Sequence, residues 1–110
     1  DWETVFASVR KTGSLLVLDT ASQTGSVAGE IIARVSTDLF GSLKRAPRRI
    51  CLPDFPTPTS QALSQKYYPR AEEIVRAVGE MLGKRLSTEK LSAQRTTPHD
   101  VPGTWFRGPF

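Results

Sequence analysis

Two short apolar runs, "SLLVLD" at residues 14–19 and "RRICLP" at residues 48–53, flank a stretch of helical periodicity at residues 27–40. This arrangement restricts the fold more than any other feature. Neither run is long enough for a helix and neither alternates between apolar and polar side chains, which is the pattern of a strand covered on both faces. Between them Ala28, Ile31, Ile32, Val35 and Leu39 fall on one helical stripe, and Gly41 and Ser42 end it. Two strands joined by an amphipathic helix of this length predict a right-handed crossover unit with a parallel pair.

The flanking sequence extends this unit. Trp2, Val5, Phe6 and Val9 stand at helical spacing, with Arg10 and Lys11 before Gly13, so residues 2–12 predict a short helix stopped at Gly13. Residues 20–26, "TASQTGS", predict a loop leading into the helix at 27–40. Beyond a turn at 54–60, residues 69–86 predict the clearest helix of the chain. Pro69 suits its first turn, Glu72 and Glu73 its positive end, and Lys84 and Arg85 its negative end, with Ile74, Val75, Val78, Met81 and Leu82 on the buried face. From residue 87 the pattern dissolves, and the tail is expected to be extended, without regular secondary structure.

One domain fits 110 residues of which 38% are hydrophobic. Two strands are too few, however, for runs that require neighbours and covering layers. The first residue is Asp1 and the one methionine is Met81, so the expectation is a processed chain or an excised piece with further strands before Asp1 and with exposed sheet edges. A single cysteine excludes an internal disulfide, and one histidine with one cysteine gives no zinc set. No apolar run reaches the roughly 18–20 residues of a membrane span.

Several words in order, "SVRKTGSLLVLD" at 8–19, "GSVAGEIIARV" at 25–35, "LKRAPRRICLPDFPTP" at 43–58 and "YYPRAEEIVRAV" at 67–78, carry a resemblance. The chain resembles the C-terminal domain of the transketolase family, and within it the beta subunits of thiamine-diphosphate-dependent 2-oxoacid dehydrogenases of the pyruvate, branched-chain and acetoin types. The resemblance covers residues 1–84. It implies an α/β fold, a three-layer α/β/α sandwich with a mostly parallel sheet, lacking its first strands here. Residues 1–86 are then a partial domain and 87–110 a tail. It further implies thiamine diphosphate and magnesium in the intact enzyme, neither held by this piece, which alone is expected to be inactive. The implied partners are a second beta subunit, the alpha subunit and the acyltransferase component, with no nucleic acid and no membrane. The implied compartment is the cytoplasm in a bacterium and the mitochondrial matrix in a eukaryote. The rival assignments are the same domain of a transketolase or a deoxysugar-phosphate synthase, and a small basic non-catalytic binding module.

No nucleophile with a base, paired carboxylates or metal cluster stands out, so no catalytic residue is assigned. Asp54, Phe55 and Pro56 follow the carboxyl end of a strand, where open α/β sheets place ligand sites. They read first as a stiff exit in which Asp54 bonds nearby backbone amides, and second as an interface. Ser22, Thr24 and Ser26 could offer hydroxyls to an anion at a helix start, or Thr24 or Ser26 could simply cap that helix; the resemblance implies that this region lies near subunit contacts, so a partner contact is expected over catalysis. Lys44, Arg45, Arg48 and Arg49 form a cluster that reads as a solvated edge or as a contact for phosphate or an acidic partner. They supply much of the formal charge of +4. Trp105, Phe106 and Phe110 are expected to dock on the parent domain or on a partner subunit. His99 is expected to have no catalytic role, and Cys51 to be an inert small hydrophobe.

Overall fold

The computed structural model describes residues 1–95. The chain divides into two compact units, Asp1–Phe55 and Pro56–Phe110. The element order in the first is α1 (Trp2–Thr12), β1 (Leu16–Ser22), α2 (Val27–Leu39), a 3-10 turn (Phe40–Ser42) and β2 (Arg48–Leu52). Helix α1 starts where the Asp1 carboxylate accepts from the Thr4 amide at 3.0 Å, and it stops at Gly13 as expected. Gly13 adopts φ 68°, and its amide donates to the Val9 carbonyl at 2.7 Å. The Lys44 side chain lies so close that a Cβ on Gly13 would stand 2.6 Å from Lys44 Cγ. Any other residue there meets both the left-handed backbone and this contact.

The core forms where α1 meets α2. Val9, Val35 and Leu39 are buried, and Val5, Phe6, Leu15, Ile31 and Leu43 pack around them. The predicted stripe on α2 is therefore the packed one: Ala28, Val35 and Leu39 are buried, and Ile31 and Ile32 half-buried. On the outside, the Arg34 guanidinium lies 4.2 Å from the centre of the Trp2 ring and pairs with Asp38 at 3.6 Å. Helix α2 also contacts both strands.

Strands β1 and β2 pair in parallel, with Leu16 opposite Arg48, Val17 opposite Arg49 and Leu18 opposite Ile50. The predicted parallel pair is present and the class is α/β. Strand β1 runs to Ser22, three residues past its expected end, because it continues through an irregularity after which Ser22 lies opposite Leu52. At that irregularity Asp19 Oδ1 accepts from the Ala21 amide at 3.0 Å, so the backbone departs from the ladder without orphaning that donor. The expectation of strands covered on both faces is not met among the described residues. No residue of either strand is buried, and Leu18 is 51% exposed. Each strand has one neighbour in the two-stranded sheet, which leaves one edge of each unpaired among the described residues.

The second unit contains α3 (Gln61–Ser64), α4 (Ala71–Leu82) and α5 (Glu89–Ala93). Arg70 is the N-cap of α4, so Pro69 precedes the helix instead of standing in its first turn. The helix ends at Gly83 with φ 64°, where the Lys84 amide donates to the Gly79 carbonyl at 2.8 Å. Lys84 and Arg85 therefore lie beyond the end predicted to hold them. Of the expected buried face, Ile74, Val75, Val78 and Met81 are half-buried, whereas Leu82 is 45% exposed and Ala77 and Gly79 are the buried residues. Helix α5 stands where an extended tail was expected. Five residues do not hold a helix by themselves, and α5 is tied to α4 through Glu72, which accepts from Ser92 Oγ at 3.2 Å and pairs with Arg95.

Gly79 yields a prediction of unusual sign. Alanine in place of a helical glycine ordinarily stabilises by about 1 kcal/mol. At Gly79 a Cβ would stand 2.6 Å from the Lys84 carbonyl oxygen and 3.3 Å from Leu86 Cγ. The first of these is backbone, and overpacking of this kind costs roughly 1–3 kcal/mol. Gly79→Ala is expected to lower the urea midpoint of the chain, and a raised midpoint would contradict the packing described.

Candidate functional site

The carboxyl ends of β1 and β2 lie side by side, and the segment joining β1 to α2 passes directly over the exit of β2. A hydrogen bond from the Gln23 amide to the Leu52 carbonyl, 2.9 Å, begins this contact. Asp54 then holds Thr24 twice: the amide donates to Oδ1 at 2.8 Å and the hydroxyl to Oδ2 at 2.7 Å. The proline after Phe55 limits how far this exit can bend. Both Asp54 oxygens thus face a loop thirty positions earlier in the chain.

The start of α2 is satisfied from within. Ser26 is its N-cap and accepts from the Gly29 amide at 3.3 Å, while the Ala28 amide donates to Asp19 Oδ2 at 3.0 Å. A helix N-terminus attracts an anion, and the anion here is the Asp19 carboxylate. Arg49 approaches from β2, its Nη1 so near Gly29 that a Cβ would stand 2.7 Å away. Cys51, half-buried on the same side of the strand, has its sulfur 3.7 Å from Ser26 Oγ.

Electrostatics follow from these contacts. Hydrogen bonds from the Ala21 and Ala28 amides hold the Asp19 carboxyl below its ordinary range, against a smaller opposing effect of burial. The Thr24 amide and then its hydroxyl do the same for Asp54, with a further contribution from the Arg49 charge. These carboxylates are anchors for backbone, with no features of a proton donor near neutrality.

The proposed site residues are placed as follows. Asp54, Thr24 and Ser26 come together at this crevice, and Ser22 joins the end of β1. Thr24 spends its hydroxyl on Asp54, and Ser26 caps the helix. Phe55 is 55% exposed and Pro56 is exposed. The four cations do not make one patch. Lys44 lies over Gly13, Arg45 Nη1 donates to Ser14 Oγ, and Arg49 sits beside Gly29. Arg48 and Arg49 are neighbours in a strand, so their side chains leave opposite faces. Trp105, Phe106, Phe110 and His99 lie outside the described residues. Sequence reasoning passed over Asp19 as a site residue. An acidic residue closing a strand shortly before a helix start is the signal that points to it.

The crevice does not fit a diphosphate, because Asp19 and Ser26 already face the α2 amides that such a group would use. Among the described residues no group of three or more His, Cys, Asp or Glu could hold a metal ion, and no helix is long and apolar enough to cross a membrane.

Two outcomes follow. Asp19 and Asp54 lie below their ordinary values in the folded chain, so their stabilisation is complete above about pH 4, the unfolded carboxylate range, and is lost as pH falls through the lower folded values. The urea midpoint should therefore drop below about pH 4, and Asp54→Asn should make that drop shallower; equal slopes would contradict the clamp. Ser26→Ala should cost about 1 kcal/mol through loss of the cap, measured by the same titration at neutral pH.

Comparison with known proteins agrees with this architecture. The family model described as transketolase, C-terminal domain, matches residues 1–74. The chain is 43% identical over 82 residues to the pyruvate dehydrogenase E1 component subunit beta of Mycoplasma pneumoniae, an alignment covering 74% of this chain and 25% of that protein. It is 40% identical over 77 residues to the acetoin:2,6-dichlorophenolindophenol oxidoreductase subunit beta of Cupriavidus necator, covering 70% and 23%. The corresponding subunit of Bacillus subtilis is 34% identical over 84 residues, covering 76% and 25%. The chain thus spans about a quarter of the length of the curated relatives it matches. With its parallel strand pair, its crossover helix and a match over residues 1–74, the chain belongs to the transketolase C-terminal domain family.

Proposed function

We propose that this chain is an assembly segment of the beta subunit of a thiamine-diphosphate-dependent 2-oxoacid dehydrogenase, providing subunit contacts and a docking surface for the acyltransferase component. The observation that carries this reading is the internal saturation of the crevice. The donors and carboxylates where an α/β sheet would hold a ligand, those of Thr24, Ser26, Asp19 and Asp54, are engaged with one another and with backbone. A site built this way positions a loop and does not turn over a substrate. The similarity to beta subunits of pyruvate dehydrogenase and acetoin oxidoreductase supports the enzyme assignment. The reaction of the whole enzyme is decarboxylation of a 2-oxoacid with acyl transfer to lipoyl groups. Thiamine diphosphate with magnesium supplies the carbanion chemistry there, held by parts of the enzyme other than the crevice described above. The partners are then a second beta subunit, the alpha subunit and the acyltransferase component. The compartment is the bacterial cytoplasm or, as for the relative from Drosophila melanogaster named as mitochondrial, the mitochondrial matrix.

The exit segment Asp54–Phe55–Pro56 is the contact we assign to subunit assembly. Phe55 is large, aromatic and 55% exposed, and it stands between a residue fixed by the clamp and a proline. An aromatic anchor on a rigid support has the character of an interface hot spot. In the full-length beta subunit, Phe55→Asp is expected to weaken subunit association by roughly 30-fold or more, the equivalent of about 2 kcal/mol, read by sedimentation velocity across a dilution series. Unchanged association, with a folded variant shown by circular dichroism, would remove this segment from the interface.

A further inference from the structure

At the amino end of β2, away from the crevice, the chain forms a groove of about 380 Å³ whose lining includes Phe40, Leu43, Lys44, Arg45 and Pro47. Its lining is largely apolar, and its two charged residues are the cations Lys44 and Arg45. Phe40 follows α2 directly and is 78% exposed, although it is held in a defined turn by the hydrogen bond from the Leu43 amide to its carbonyl at 3.2 Å. Leu43 is half-buried against the core. The segment beside them is held as well: the Lys44 amide donates to the Gly13 carbonyl at 2.9 Å, and the Arg45 guanidinium donates to Ser14 Oγ. Asp38 is the nearby carboxylate on α2, and its charge is paired with Arg34.

We infer that this groove binds an extended acidic segment of a partner protein, with one aromatic or large aliphatic side chain of that segment seated on Phe40 and Leu43 and its carboxylates facing Lys44 and Arg45. Three features select this occupant. A volume of 380 Å³ is at the small end of the range for binding pockets and suits one bulky side chain. Both charged residues of the lining are cations, so an acidic sequence is favoured in approach and register. Beside the cations the lining is largely apolar, with Phe40 78% exposed and Leu43 half-buried, so a large apolar side chain gains by covering it. A peptide covers the apolar lining and meets the cations together, as inorganic phosphate does not. Because Asp54 follows the opposite end of β2, this partner engages without touching the exit segment assigned to subunit assembly.

The test uses the 110-residue chain, labelled with nitrogen-15, and a blocked five-residue peptide with glutamates around a central phenylalanine. Two control peptides replace that phenylalanine by alanine and the glutamates by lysines. The expected result is amide shift changes concentrated in residues 36–47 with the first peptide only. Phe40→Ala should weaken them about tenfold or more, as loss of a buried aromatic contact does, and raising salt from about 0.05 to 0.5 M should weaken them further. Phe40 is exposed, so the variant is expected to keep the dispersed spectrum of the parent. Shifts scattered over the basic surface and indifferent to Phe40→Ala would overturn the inference. So would equal binding of the lysine peptide, a response to inorganic phosphate at the same residues, self-association of the chain through Phe40, or no response at all.

Discussion

A parallel strand pair has no hairpin to hold it, and its two chains must be brought together by whatever crosses between them. Here the crossing element is α2, and its entry depends on two carboxylates, Asp19 within β1 and Asp54 just beyond β2. Asp19 receives the Ala28 amide at the start of the helix, and Asp54 receives the amide and hydroxyl of Thr24 in the loop before it. Between them these two carboxylates hold the entry of α2. The stripe of Ala28, Val35 and Leu39 then meets Val9 of α1 in a small core.

The same contacts decide what the crevice can do. In an open α/β sheet this is the place for a ligand, and a helix N-terminus above it is the place for an anion. The chain fills both with its own side chains. The depressed carboxyls of Asp19 and Asp54 express this in electrostatic form: both are stabilised as anions by donors aimed at them, which suits an anchor and not a proton shuttle. The contacts proposed for partners lie outside this clamp, at Phe55 beside it and at the Phe40 groove at the other end of β2.

Much of this was legible in the sequence, for reasons that can be named. Gly13 after Arg10 and Lys11 marks a helix stop because a left-handed residue is needed there, and the 3.6-residue stripe of α2 marks the face that packs. Asp54 before two prolines pointed to an exit bonded to nearby amides; Asp54 does bond a backbone amide, but that of Thr24, thirty residues upstream. Other features depend on contacts that local pattern does not encode. The extension of β1 to Ser22 rests on Asp19 folding back to Ala21. Helix α5 rests on Glu72, twenty residues before Ser92. The four cations looked like one cluster along the chain, but strand alternation separates Arg48 from Arg49, and the approach of the chain to Gly13 and Ser14 draws Lys44 and Arg45 elsewhere. The uncovered face of the sheet, with Leu18 half in solvent, is the point where an apolar run predicts more cover than the described residues supply.

The proposed function makes the crevice structural and the chain an assembly segment of a larger enzyme. Its most direct test is the turnover number per assembled active centre in the full-length enzyme carrying Asp54→Asn, with assembled enzyme counted by sedimentation. The account predicts a lower yield of assembled, heat-resistant enzyme with an unchanged turnover number per centre. Intact assembly with a turnover number reduced by an order of magnitude or more would contradict it, and would place Asp54 in the catalytic machinery.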